Sequence, residues 1–300
     1  MLTAGLGTRL RPLTRHRAKP ALPVAGTTLI ERIIAWLAAF GLHNLLLNLH
    51  HCPDTITGLL GDGAAAGVRV RYSWEVPLLG SGGGPRRAFS LVPDDRLWLV
   101  NGDTLCDLRL DAMAGDHGGS DALITMAVTE NPDPQHYGGV LVDASGAVTG
   151  FTRRGSSEPS WHFIGVQIAE RGAFLSLADG TAAESVMALY PRLIAERPGS
   201  VRAFRCRASF LDIGTPRDYL AACLTLAAPA RVAIGAHVQI HRSAQLQDCV
   251  LWDDVTVGSG ASLRSVVVCD GVRVPDGFAA DSCALLAATG ATGGIEQVPL

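Results

Sequence analysis

The sequence lacks several features, and each absence excludes a class of protein. No apolar run approaches the roughly 18 residues of a membrane-spanning helix, so no span is expected. Neither charge dominates: the formal net charge of −3 argues against a nucleic-acid coat and makes any cationic function local. None of the seven cysteines (Cys52, Cys106, Cys206, Cys223, Cys249, Cys269 and Cys283) belongs to a C-x-x-C pair. Their odd number and scatter read as buried, reduced thiols of a cytoplasmic protein, not as disulfides or a zinc site. The opening residues do not read as a signal-peptide apolar region, because glycine, arginine and proline come too soon. His50 and His51 are adjacent, without ligand spacing, and read as structural or solvent-facing. What remains is a globular chain of 300 residues, 48% hydrophobic, large enough for a proper core. Neither nucleic acid nor membrane is an expected partner.

What is present is uneven. The first nineteen residues, MLTAGLGTRLRPLTRHRAK, hold five arginines and lysines, two glycines two apart, and no acid. Up to about residue 228, strand and helix patterns alternate. Leu29, Ile30, Ile33, Ile34 and Leu37 recur at helical spacing, and a strand at Leu45–Leu49 follows the Gly41 stop. Val68, Val70, Tyr72 and Trp74 alternate with polar residues as a half-buried strand does. A helix around Pro85–Leu91 leads to a strand at Leu97–Val100, and Ala122–Val128 is another strand. Val140–Val142 and Val148–Phe151 flank the turn signal Asp143-Ala144-Ser145-Gly146, and Glu184–Glu196 and Pro216–Ala227 read as helices. Strands separated by helices predict an α/β domain with a mostly parallel, Rossmann-like sheet.

After Pro229 the chain aligns with itself at a period of 17: Ile234–Val250, Leu251–Val267 and Val268–Ala284 stack as three passes. Aliphatic residues recur within each pass at steps of six, six and five: Ile234, Ile240, Leu246, then Leu251, Val257, Leu263, then Val268 and Val274, with Ala280 the weak ninth. This is a hexapeptide-type repeat, whose natural form is a parallel β-helix with three short strands per coil. Three domains are expected: 1–228, a β-helix at 229–285 that serves structure or homo-oligomerisation, and a flexible tail at 286–300.

The glycine loop fits neither common phosphate motif. A dinucleotide fingerprint needs glycine where Leu10 stands, and a Walker loop needs Gly-Lys-Ser/Thr. The pattern is Gly5-x-Gly7-Thr8-Arg9-x-x-Pro12, followed by Lys19-Pro20. Glycines let backbone N–H groups approach phosphate oxygens, and a nearby arginine and lysine can neutralise a polyphosphate.

LTAGLGTRLRPLT…KPALPVAG resembles the signature of sugar-1-phosphate nucleotidylyltransferases, the NDP-sugar pyrophosphorylases. Four further segments match in order: Pro77–Ala88, Leu99–Leu105, Tyr137–Asp143 and Phe210–Ala222. The tail is similar to the left-handed β-helix of proteins resembling bacterial mannose-1-phosphate guanylyltransferases. The resemblance implies an NTP and a sugar 1-phosphate as substrates, Mg²⁺ as cofactor, and an NDP-sugar and pyrophosphate as products. It implies Arg9, Lys19, Asp103 and Asp212 as catalytic residues, with Asp103 and Asp212 holding the metal. Ala4, Gly5, Gly7, Thr8, Gly80, Gly82, Gly83 and Asn101 would bind the nucleotide. Tyr137, Gly138 and Arg154 would bind the sugar phosphate, Arg154 standing where the family often has lysine. Arg11, Arg15, His16 and Arg17 are assigned to solvation or steering, and Asp107 and Asp111 to the surface.

Two departures stand out. Arg153-Arg154-Gly155, Phe163-Ile164-Gly165-Val166 and the glycine-rich GSGGG lean toward a uridylyltransferase of muramic acid, while the β-helix leans toward mannose guanylylation. Base and sugar stay open between guanylyl transfer to mannose 1-phosphate and uridylyl or thymidylyl transfer to N-acetylmuramic acid 1-phosphate or glucose 1-phosphate. The family also carries apolar residues ahead of LTAG as a central first strand, where this sequence has Met1 and Leu2. That predicts a start upstream of Met1 or a compromised copy. Two rivals are weaker. A catalytically silent regulatory homologue would not need Arg9, Lys19, Asp103 and Asp212. An acyltransferase β-helix would need a catalytic histidine, and His237 and His241 lie only in the first of three coils.

Overall fold

The computed structural model describes residues 1–288 and 294–300. The chain forms two compact units that interleave along the sequence. One comprises Met1–Gly5, Ile34–Pro53 and Leu60–Leu211; the other comprises Leu6–Ile33, Asp54–Leu59 and Asp212–Leu300.

The first unit is α/β. Its largest sheet has the order Val201–Arg205, Ile124–Glu130, Trp161–Glu170, Gly139–Val142, Val148–Thr152, with Arg96–Val100 also pairing to Trp161–Glu170. Asn44–Leu49 and Arg69–Trp74 pair in parallel, from Asn44 opposite Arg69 to Leu49 opposite Trp74. Ile124 to Thr129 are all buried, as befits a strand covered on both faces. Ile124, Met126 and Val128 pack with Phe89 of the helix Gly80–Leu91, with Phe174, and with Tyr190 of the helix Tyr190–Glu196.

The strand Trp161–Glu170 has no counterpart in the sequence reading. It runs antiparallel to its neighbours, and its register against Ile124–Glu130 shifts between Phe163 and Gln167. That irregularity is the Phe163-Ile164-Gly165-Val166 segment. Gly165 sits at φ +78, and a Cβ there would lie 3.0–3.2 Å from the Asn101 side chain. Only glycine combines that backbone with that proximity.

Met1 and Leu2 enter between two strands. Leu2 bridges to Asn101, its N–H donates to the Val100 carbonyl at 2.8 Å, and Asn48 N–H donates to the Met1 carbonyl at 3.3 Å. The Met1 nitrogen donates to the Leu46 carbonyl at 2.7 Å. A cavity of about 490 Å³ continues this slot, lined on one side by Leu45 and Leu46 and on the other by Leu97, Trp98 and Leu99.

In the second unit the 17-residue period is realised as strand register. Ile234 pairs opposite Leu251 and Leu251 opposite Val268; Ile240, Val257 and Val274 form a second ladder, and Leu246, Leu263 and Ala280 a third. One corner recurs at the same spacing: Arg231, Asp248, Ser265 and Ser282 all adopt φ of 51 to 55. Leu251, Val257, Leu263, Val268 and Val274 form the buried column. The first coil departs from expectation. Ile234 is 48% and Ile240 38% exposed, because an end coil has a neighbour on one side only.

The tail also departs from the loose segment expected at 286–300. Ile295–Pro299 forms a strand antiparallel to Cys283–Ala287, pairing Ala287 with Ile295 and Cys283 with Pro299. Residues 289–293 of that expected tail lie outside the described residues. Among the described residues, no helix is long and apolar enough to cross a membrane. Burial pushes the thiols of Cys106 and Cys223 up, to about 11 and about 12.

Candidate active site

In the first unit, one buried polar network ties together the two loops expected to meet a nucleotide. Asn48 interrupts the apolar strand Asn44–Leu49, and its Oδ1 accepts from the N–H groups of Thr3 at 2.6 Å and Ala4 at 3.3 Å. Its Nδ2 donates to Glu75 Oε1 at 2.8 Å, and Glu75 Oε2 accepts from Leu79 N–H at 2.8 Å. Thr3 Oγ1 donates to the Asn48 carbonyl. Glu75 is 1% exposed. A carboxylate buried so deeply needs several donors, and these fix the backbone leading into Gly5 and Gly80. Neither Asn48 nor Glu75 stood out in the sequence. The available signal was a polar residue within an otherwise buried strand, which must have a partner.

The glycines of GSGGG pack against the segment Thr181–Glu184. Gly80 sits at φ +74, a Cβ on it would lie 2.8 Å from the Ala183 carbonyl, and Gly82 N–H donates to that carbonyl at 2.7 Å. A Cβ on Gly83 would collide with the Thr181 carbonyl. Asn101 and Gly102 follow the strand Arg96–Val100, and half-buried Asp103 follows them at the strand's carboxyl end. That end is where open α/β sheets bind ligands. Thr104 Oγ1 lies 3.3 Å from Asp103 Oδ1.

Tyr137, Gly138 and Arg154 come together in the same unit. A Cβ on Gly138 would lie 2.9 Å from the Thr152 carbonyl and 3.9 Å from Arg154 N. Tyr137 belongs to a ring cluster: its centroid is 4.3 Å from His162, and His162 stacks on Phe210 at 4.8 Å. His162 Nδ1 is buried with no hydrogen-bond partner among the described residues. Burial, reinforced by His136, pushes the His162 pKa down to about 4, so the ring is neutral at pH 7. His162 and Phe210 are further candidates that sequence spacing did not bring to Tyr137.

The second unit carries Arg9 and Lys19. Gly7 is left-handed at φ +59, and Thr14 closes over it, donating from Oγ1 to the Gly7 carbonyl at 2.8 Å. Thr8–Leu10 then makes one 3₁₀ turn that leaves Thr8 and Arg9 exposed and Leu10 buried. Arg9 and Asp212 converge at Gly214. A Cβ on Gly214 would lie 3.6 Å from Arg9 Nη1, 3.5 Å from Asp212 Oδ2 and 3.2 Å from Asp218 Oδ2. Asp218 is committed elsewhere. With Thr215 it forms a capping box on the helix Pro216–Leu226, accepting from Thr215 N–H and Oγ1–H at 2.8 Å each. Lys19 opens the short 3₁₀ turn Lys19–Ala21 and is 9% exposed, an uncommon burial for lysine.

These residues suit phosphate chemistry. Arg9 offers planar donors that match phosphate oxygens. Asp103 and Asp212 offer hard carboxylate oxygens of the type Mg²⁺ takes together with phosphate. The bare Gly214 backbone keeps a small cradle open beside Asp212 and Arg9, and the Asp212 carboxylate there is of the kind a divalent cation takes. Among the described residues there is no group of three or more histidine, cysteine, aspartate or glutamate side chains arranged for a metal. A cation here would complete its shell with substrate or water oxygens.

The sequence pattern of the nucleotidyl transferase family matches residues 1–228, and that of the GlmU-like C-terminal hexapeptide matches residues 223–280. The chain belongs to the nucleotidyl transferase family, and it is an enzyme of that type. More particularly, it is similar to a mannose-1-phosphate guanylyltransferase of Mycobacterium tuberculosis, 28% identical over 292 residues, covering 92% of this chain and 81% of that protein. It is also similar to an N-acetylmuramate alpha-1-phosphate uridylyltransferase of Caulobacter vibrioides, 31% identical over 237 residues, covering 76% of this chain and 96% of that protein. The crystal structure of HddC from Yersinia pseudotuberculosis superposes with a TM-score of 0.64 at 25% identity, covering 74% of this chain and 96% of that one.

Proposed function

We propose that this protein transfers a nucleotidyl group from a nucleoside triphosphate to a sugar 1-phosphate, with GTP and mannose 1-phosphate as the favoured pair. The observation that carries the reading is the convergence of the Arg9 guanidinium and the Asp212 carboxylate on Gly214, next to the signature loop. A site for like-charged phosphates needs cations and a metal-binding carboxylate side by side. In the reaction a sugar-phosphate oxygen attacks the α-phosphorus. That P–O bond forms as the bond to the β-phosphate oxygen breaks, and pyrophosphate leaves with the electron pair. No covalent enzyme intermediate is required, so catalysis is positioning plus charge neutralisation.

Arg9 binds the β- and γ-phosphates that leave. Lys19 stabilises charge developing on the α-phosphoryl group. Asp103 and Asp212 would hold Mg²⁺, which would supply charge against the mutual repulsion of the two phosphates. Backbone at Ala4, Gly5, Gly7, Thr8, Gly80, Gly82 and Gly83, with Asn101, binds the nucleotide. Tyr137, Gly138 and Arg154 border the sugar phosphate.

The preference for GTP and mannose 1-phosphate rests on coverage: the Mycobacterium tuberculosis guanylyltransferase matches 92% of the chain, hexapeptide coils included. Uridylyl transfer to N-acetylmuramic acid 1-phosphate is the second reading, favoured by the 31% identity to the Caulobacter vibrioides protein. Both are tested by pyrophosphate release across a matrix of nucleoside triphosphates and sugar 1-phosphates with Mg²⁺. GTP with mannose 1-phosphate is expected to react fastest. Release with UTP and N-acetylmuramic acid 1-phosphate alone would select the second reading, and silence across the matrix would sink both.

A further inference from the structure

The cations of the opening segment are not equivalent, and the β-helix sorts them. Arg17, two residues before Lys19, lies over the ring of Trp252 at 5.3 Å from its centroid. Its Nη2 also pairs with Asp270 Oδ2 at 2.8 Å and Asp253 Oδ2 at 3.6 Å. Trp252 is 3% exposed, and its Nε1–H donates to Tyr219 Oη at 2.8 Å. The Tyr219 hydroxyl in turn donates to the carbonyl of Pro23, four residues after Lys19. One indole therefore touches both ends of the segment 17–23, by its face at Arg17 and through one hydroxyl at Pro23. All these residues belong to the second unit.

Between the two ends the backbone is tied locally. Ala18 N–H donates to Thr55 Oγ1 at 3.1 Å, Ala21 N–H to the Ala18 carbonyl at 2.9 Å, and Leu22 N–H to the Lys19 carbonyl at 3.1 Å. Arg15 contrasts with Arg17. It pairs with Glu296 at 2.6 Å, but both side chains are well exposed, and such surface pairs contribute little.

We propose that Trp252, in the second pass of the β-helix, is the hub of a clamp, with Arg17 and Tyr219 as its arms, that positions the Lys19 segment for catalysis. Arg17 is a positioning residue: it acts through the backbone that carries Lys19. The catalytic half of the proposal rests on the role given to Lys19 above; the clamp itself does not. A planar guanidinium both stacks on indole and pairs with two carboxylates, which lysine cannot do equally well. The β-helix thereby becomes part of the catalytic apparatus without touching substrate.

Amide hydrogen exchange on the full chain without substrate tests the clamp directly. Arg17→Gln is expected to speed exchange at Ala18, Ala21 and Leu22 about tenfold, with the rest of the chain and the melting temperature little changed. Trp252→Phe keeps a ring but loses the Nε1–H, and is expected to speed exchange mainly at Leu22. Arg15→Gln should leave all three amides alone. Unchanged exchange in Arg17→Gln and Trp252→Phe overturns the clamp. In pyrophosphate release, Arg17→Gln should lower kcat about tenfold with KM for the triphosphate nearly unmoved, and Arg17→Lys should recover only part of that. Altered exchange with unaltered kcat would overturn the catalytic role alone. A wild-type protein that transfers nothing would sink the proposed function while the exchange data still decide the clamp.

Discussion

Asp212 and Asp218 lie six residues apart and do different work. Both carboxylates border the space at Gly214 with Arg9, and Asp218 also closes the capping box of the following helix. Asp212→Asn and Asp103→Asn should each lower turnover about a thousandfold, as loss of a group acting on transition-state charge does, with no change in melting temperature. Near-normal turnover in either would remove that residue from the proposed metal site. His162 makes a second prediction. Burial favours its neutral form, so its folded pKa of about 4 lies below the ordinary 6.5. The stability linked to this ring is complete above the unfolded value and is lost as pH falls from there toward the folded one. His162→Phe should therefore lose less stability than wild type between pH 7 and 4.5 in denaturant titrations; an equal loss would show that His162 does not carry the effect. The family motifs were legible in the sequence because they are short, ordered patterns. Asn48, Glu75 and His162 were not, because each depends on partners from distant stretches of chain.

At the scale of elements, two backbone features are load points for the site. Gly83 lies under the Thr181 carbonyl at the start of the helix Gly80–Leu91. Gly83→Ala should destabilise the protein by about 2 kcal/mol through overpacking, read from the denaturant midpoint. Thr215→Ala removes a helix cap one residue beyond Gly214 and should cost about 1 kcal/mol. An unchanged midpoint in either would contradict the packing or the cap described. The β-helix was the most legible element, because its period of 17 is both the sequence repeat and the strand register. The strand Trp161–Glu170 was obscure for the opposite reason. Residues Ile164 to Ala169 are all buried, so no alternation marks it, and its direction is set by neighbours far away in the chain. Ile295–Pro299 was missed likewise: it carries no repeat and is a strand only because Cys283–Ala287 offers an edge.

At the scale of the whole molecule, linear motif boundaries and compact units do not coincide. Residues 6–33 cluster with residues 212–300, a grouping made by packing and invisible to any local pattern. A chain ending at residue 228 would lack the partners of Arg15 and Arg17 and the indole that donates to Tyr219. It should melt at lower temperature than the full chain, and limited proteolysis should cut first between Arg11 and Arg17. Equal protection of that segment would show that the coils do not support it.

The sequence separations in that unit have a consequence for synthesis. Arg15 and Glu296 are 281 residues apart. A ribosome delivers the cations of residues 9–19 long before Trp252, Asp253, Asp270 and Glu296. Contacts so distant in sequence close late. The loop at residues 9–19 thus waits for partners made much later, and a nascent chain acquires a finished loop there only when those coils have emerged.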